Sequence, residues 1–243
     1  LKSDKPFTTT GAFDSQNLMF WDPVAQTYRE YHRQFDEGLR GIMTATSTDP
    51  ENFPEPQWLK YPDAPAEALY TNQVQPYYRA PHILLGFPMR YHDRGWTPSL
   101  DELPGLEERK YRAEQSLRYG TAVTDALFMT SRDGVTFHRW SEAFLRPGPA
   151  GKDTWVYGNN FIFWGMLQTK SHLPEAPDEI SLYAPEGYWQ GDSTSVRRYT
   201  LRQDGFVSAS AGWQGGTLRT RPLIFTGDTL ELNLSTSAAG SVR

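Results

Sequence analysis

Proline and glycine, 18 and 20 of them, are scattered so evenly along this 243-residue chain that few windows are free to hold a long helix. Between these breakers the apolar runs are short and aromatic, as in FIFWGM at Phe161 to Met166, and strand length is what fits them. The pattern predicts an all-β protein with strands over Asn17 to Trp21, Thr27 to Arg33, Gly41 to Thr46, His82 to Tyr91 and Asp125 to Ser131. Three more are expected over Asn160 to Gln168, Glu179 to Ala184 and Val196 to Arg202. One window departs from this rhythm. Leu100 to Tyr119 is rich in Glu, Arg and Leu, with Pro104 near its start, and reads as an inserted loop holding a short surface helix.

An internal echo organises the strands. TSTDPENF at Thr46 to Phe53 aligns without gaps on TSRDGVTF at Thr130 to Phe137, 84 residues later, and TLRQDGF at Thr200 to Phe206 is a weaker third copy. Each reads as a strand ending in a tight turn, where Asp caps backbone amides and Phe tucks under the next strand. Repeated antiparallel sheets of this kind predict a β-propeller, with about three blades near residues 9–72, 73–152 and 153–215. Residues 1–215 are then an incomplete propeller, and 216–243 begin a C-terminal β-sandwich or supply final propeller strands. A single sandwich or jelly roll is the alternative for the same strands. The chain starts at Leu1 without a signal-like segment, and the alternation from Leu230 stops without a turn, so a fragment shortened at both ends is expected.

Composition removes several functions. The 29 acidic and 24 basic residues are interspersed and leave a net charge of −5, so no basic stripe is available for nucleic acid or anionic lipid. No window reaches the roughly 18 apolar residues of a membrane helix. Cysteine is absent, which excludes disulfides and thiolate chemistry. The five histidines, His32, His82, His92, His138 and His172, lack zinc-site spacing, and no nucleophile elbow or nucleotide loop is present, so no metal or cofactor is expected.

What remains is a set of carboxylates at strand ends. Asp14 lies just ahead of the first strand, Asp125 opens a later one, and Glu186 follows SLYA. Cleavage of a glycosidic bond needs one protonated acid at the leaving oxygen and one ionised group on the opposite face, and a third carboxylate can hold the acid's pKa up. Each of the three can equally be a turn cap. Sugar recognition asks for flat apolar faces and planar hydrogen-bonding groups. Tyr188 and Trp189 beside Glu186 are the best stacking candidates, Trp21 and Tyr78 being alternatives. Gln16, Asn17, Arg79, His82, Asn159 and Asn160 are candidates for binding hydroxyls, with Arg79 and His82 of YYRAPH the preferred pair.

The opening GAFDSQNLMFWDPVAQTYREYHR resembles the blade openings of five-bladed propeller glycosidases in the clans of families 32, 43, 62 and 68. With YRAPHILLGFP, FMTSRDGVTFHRW, EAFLRPG and RRYTLRQDGFVS, nearly the whole chain is similar to large bacterial proteins related to those families, common among planctomycetes. The resemblance implies a five-bladed fold and a glycoside hydrolase acting on an oligo- or polysaccharide. It makes Asp14 the base or the pKa modulator and Glu186 the acid, although the acid motif reads Pro-Glu-Gly where the families have Glu-Gly-Pro. A non-catalytic carbohydrate-binding module and a structural domain of a larger secreted protein are the rival functions. All three readings go with a periplasmic or extracellular setting and a carbohydrate or no ligand, while the oligomeric state is left open.

Overall fold

The computed structural model describes residues 4–151, 154–158, 160–189, 192 and 194–242. Its contacts divide the chain into two units, Leu1–Gln203 and Asp204–Arg243. The first unit holds all the strands.

Its first sheet takes β1 (Leu18–Asp22), β2 (Thr27–Asp36), β3 (Leu39–Ser47) and β4 (Gln57–Trp58) in chain order, all antiparallel. Turn chemistry fixes the register. Asp22 Oδ1 accepts the amides of Val24 and Ala25, both at 3.0 Å, which closes the β1–β2 turn. The β2–β3 turn is the two residues Glu37 (φ 47°) and Gly38 (φ 87°), the pair of left-handed positions that a type I′ hairpin needs to match the strand twist.

The second sheet is centred on β8 (Val123–Ser131). Along one edge it pairs with β6 (Ala80–Gly86) and then β7 (Met89–His92), and along the other with β9 (His138–Leu145). β5 (Gln75–Tyr77) flanks β6. The single strand expected over His82 to Tyr91 is therefore two, broken at Phe87-Pro88, because proline has no N–H for the ladder. Between β7 and β8 the expected helical insert is three short helices, α1 (Pro98–Asp101), α2 (Leu106–Gln115) and α3 (Leu117–Thr121). Arg109 of α2 is fully buried and donates to the carbonyls of Gly120 (2.8 Å) and Val156 (3.0 Å), which fixes the insert to the body.

The third sheet is β10 (Leu167–Thr169), β11 (Glu179–Glu186) and β12 (Ser195–Arg202). Most of the strand expected over Asn160 to Gln168 is irregular. Gly165 takes φ 123°, the Trp164 indole donates to the carbonyl of Val74 at 2.9 Å, and ladder pairing begins only at Leu167.

The propeller expectation is overturned by this topology. The described residues form three antiparallel sheets of four, five and three strands, and none of these is closed into a barrel or a propeller. The echo marks a local device, the way long strands end, and a local device does not bring sheets into a closed ring. As a turn, the device is present. Ser131 and Asp133 close the second copy, Asp133 Oδ1 accepting the amides of Val135 (2.8 Å) and Thr136 (2.7 Å). Ser47 and Asp49 close the first, with Asp49 Oδ1 accepting the amide of Glu51 at 2.9 Å. Phe137 is fully buried, whereas Phe53 packs on Phe7 with ring centroids 5.2 Å apart.

The main core joins the first two sheets through Tyr31, Ile42, Leu59, Leu69, Val74, Leu84, Leu127, Met129 and Phe137. Full burial of each such side chain contributes about 1.5–3 kcal/mol. Tyr31 keeps its hydroxyl satisfied by donating to the carbonyl of Gly134 at 2.8 Å. In the second unit, the described residues from Val207 to Val242 are all exposed and carry turns and bends without a strand.

Candidate functional site

The segment from Leu69 to Val74 is the key to the site. It is a buried loop, so its backbone groups must find partners inside the protein. The amide of Leu69 donates to the carbonyl of Arg40 on β3 (2.9 Å), and that of Tyr70 to Met89 on β7 (2.7 Å). Asn72 Oδ1 accepts the amide of Val74 at 3.2 Å. Gln16 completes the set by accepting the amides of Gln73 (3.0 Å) and Asn72 (3.4 Å) on its side-chain carbonyl. These bonds hold Tyr70, Thr71 and Gln73 along one side of a cleft of about 260 Å³.

Asp14, Ser15 and Gln16 line the same side. Met89, Tyr91 and Thr124 come from β7 and β8, Tyr157, Gly158 and Phe161 from the irregular stretch before β10, and Tyr188 from the loop after β11. The aromatic rings follow one another. Tyr70 stacks on Tyr91 (6.0 Å), Tyr91 meets Tyr157 edge-on (6.2 Å), and Tyr157 lies 6.4 Å from Tyr188. Tyr91 Oη donates to Tyr157 Oη at 3.2 Å. Burial pushes both phenols up from their ordinary values, so they stay protonated at neutral pH.

Trp189 backs this wall. Its ring stacks on Tyr188 (5.3 Å) and Tyr157 (4.9 Å), and the Arg112 guanidinium lies 4.8 Å from its ring centre on the α2 side. Arg112 also donates to the Trp189 carbonyl at 3.2 Å. Trp189 is held at φ 61°, a conformation a bulky side chain adopts only when its surroundings enforce it.

The three candidate carboxylates lie in different surroundings. Asp14 lines the cleft, its side chain 74% exposed and one oxygen against the Arg33 guanidinium. Asp125 is held by a two-pronged contact from the Arg90 guanidinium, Nε to Oδ1 at 2.9 Å and Nη2 to Oδ2 at 2.7 Å, and Arg90 also binds Glu67 at 2.8 Å. Its neighbour Thr124 lines the cleft, and alternation along β8 sends the next side chain to the opposite face. Glu186 accepts from Tyr199 Oη (2.7 Å) and Arg197 Nε (2.6 Å) on β12. Burial opposes its ionisation, but these two donors outweigh it and hold the carboxyl below the usual range. Burial, and after it the contact with Glu186, pushes the Tyr199 phenol up to about 12. Among the described residues, Asp14 is the acidic side chain that lines the cleft.

Of the hydroxyl-binding candidates, Gln16 lines the cleft, and buried Asn160 donates its amide N–H to the cleft residue Thr124 at 3.1 Å. Asn17 stitches its own loop, donating to the carbonyls of Phe13 and Ser15 at 3.0 Å each. Arg79 reaches Gln203 at 3.4 Å, and His82 is exposed on β6; neither lines the cleft. Asn159 lies outside the described residues. Trp21 packs edge-on against Tyr28 (4.9 Å) and Tyr78 against Tyr77 (5.2 Å), both away from the cleft lining. Sequence reasoning missed Tyr70, Gln73, Tyr91 and Tyr157. The run YTNQ, four residues able to satisfy a buried loop, was the signal for the first two.

No family model and no curated protein matches the chain. Solved structures do. One is an N-acetylgalactosamine deacetylase from F. plautii in complex with blood group B trisaccharide, with a TM-score of 0.44 and 11% identity over 72% of this chain and 41% of that one. Another is a glycoside hydrolase, with a TM-score of 0.42 and 13% identity over 82% of this chain and 51% of that one. Both neighbours are carbohydrate-processing enzymes, and the chain spans about half of their length or less.

Proposed function

We propose that the cleft binds carbohydrate. The observation that carries this reading is the row of Tyr70, Tyr91, Tyr157 and Tyr188 facing one hollow together with Gln16, Gln73, Thr71 and Thr124. A sugar ring has apolar faces of C–H groups and an edge of hydroxyls. Aromatic faces stack on the first, and amides and hydroxyls pair with the second. A volume of about 260 Å³ sits just below the roughly 300–1,000 Å³ of small-molecule sites, which suits one or two sugar units of a longer glycan. Such a ligand goes with a periplasmic or extracellular setting.

Paired-carboxylate hydrolysis has less support. It needs two acids flanking one bond, and Asp125 and Glu186 are each engaged by a guanidinium outside the cleft lining. What favours a catalytic second reading is the exposed carboxylate of Asp14 at the rim.

Binding to a glycan array, followed by calorimetry on the best ligand, tests both readings. Tyr188→Ala is expected to weaken binding about tenfold by removing one stacking face. A variant that binds like the parent refutes the cleft as the site. Reducing sugar released by the parent and lost in Asp14→Asn, with binding kept, establishes the catalytic reading; binding without release establishes the module.

A further inference from the structure

We propose that the helical insert shapes the aromatic wall of the cleft, with Arg112 of α2 as a positioning residue that acts through Trp189 on the rings of Tyr188 and Tyr157. This rests on the carbohydrate reading above and names a residue, outside the cleft, on which its stacking faces depend.

Tyr157 and Tyr188 reach the cleft from two stretches that lie outside the strands, so no ladder holds either ring in place. The helix α2 touches both stretches. Arg109 donates to the carbonyl of Val156, next to Tyr157, at 3.0 Å. Arg112, three residues on and therefore its neighbour on the helix surface, donates to the carbonyl of Trp189, next to Tyr188, at 3.2 Å. Trp189 joins the two halves of the wall, its ring stacked 4.9 Å from Tyr157 and 5.3 Å from Tyr188 with interplanar angles of 29° and 16°. Tyr119 of α3 adds edge-on contacts to Trp189 and Tyr157, both at 5.4 Å.

One guanidinium thus holds Trp189 twice, by its carbonyl and by its ring, whose centre lies 4.8 Å away. Glu108, one helical turn earlier, accepts from Arg112 Nε at 2.8 Å and fixes the plane of that fork. Trp189 is the residue that needs holding. With φ at 61°, its backbone keeps a conformation that a bulky side chain leaves unless its contacts over-determine it. Without Arg112 the backbone is released, and Tyr188 beside it loses the ring it stacks on. Arg112 is not among the residues lining the cleft, so it meets no sugar itself. Its contribution to binding is preorganisation, the wall being set before the ligand arrives.

The test is a double-mutant cycle on the full chain, titrated with the tightest ligand from a glycan array. Arg112→Ala is expected to weaken binding about fivefold, and to lose most of that effect in a Tyr188→Ala background, where the ring it positions is gone. A role in general stability alone predicts the same loss in both backgrounds. Near-UV circular dichroism of the ligand-free protein is expected to lose part of its aromatic signal in Arg112→Ala, a readout that needs no sugar. Equal losses in both backgrounds, no loss in either, or an unchanged aromatic signal overturns the positioning role and leaves the carbohydrate reading standing. An array on which no glycan binds overturns both. Should Arg112→Ala fail to fold, Arg112→Lys runs the same cycle: it keeps the charge over the ring but not the fork, so a smaller loss is expected, again confined to the background that retains Tyr188.

Discussion

Asp133 shows how one side chain carries a turn. Burial opposes its ionisation, but the amides of Val135 and Thr136 and the hydroxyl of Ser131 outweigh that and hold its carboxyl at about 2. An unfolded Asp titrates near about 3.9, so the unfolded chain binds the proton first as acid is added. The stability this contributes is complete above about pH 4 and is lost as the pH falls to about 2. Because the residue is exposed, solvent screening reduces the contribution to about 1 kcal/mol. Urea unfolding should find Asp133→Ala destabilised by about that amount at pH 7, with the gap to the parent narrowing below about pH 4 and closing as the pH falls through about 2. This residue was legible, since Ser-x-Asp-Gly after an apolar run names its own turn. Asp125 and Glu186 were legible as acids at strand ends but not in their surroundings. Arg90 lies 35 residues from Asp125 in sequence, and Arg197 meets Glu186 only because β12 folds back on β11.

At the scale of elements, the breakers and the alternation found most of the long strands, because a strand half-buried in an antiparallel sheet writes its period into the sequence. They missed β4, β5 and β9. The first two have two and three residues, too short for a period, and β9, HRWSEAFL, mixes charge with aromatics because much of it is exposed. Phe161 to Met166 misled in the other direction. It is apolar because it packs around the cleft and Val74, not because it joins a ladder. The β2–β3 hairpin depends on Gly38, whose φ of 87° suits no side chain even though nothing lies within 4 Å of an added Cβ. Gly38→Val should therefore cost about 1–2 kcal/mol in thermal or urea unfolding and leave glycan binding unchanged. A larger loss, or a loss of binding, would mean that the turn does more than set register.

For the molecule as a whole, the sequence conveyed the sheet-rich class and the insert, and it misjudged how sheets assemble, since repetition of turns says nothing about closure. The cleft was the least legible feature for the same reason. Its walls come from stretches near residues 14, 70, 90, 124, 157 and 188, and only tertiary contacts bring them together. An unfolded chain thus has no version of this receptor. Occupancy and the melting transition must then be linked: a saccharide at about 100 times its dissociation constant adds about 2.7 kcal/mol to the native state, or a rise of about 5–11 °C for a chain of this size. A plate-format melting screen over sugars can accordingly report the true ligand before any catalytic assay exists, and a flat response across a library that includes a known binder would overturn the dependence of the hollow on six separate stretches being folded together.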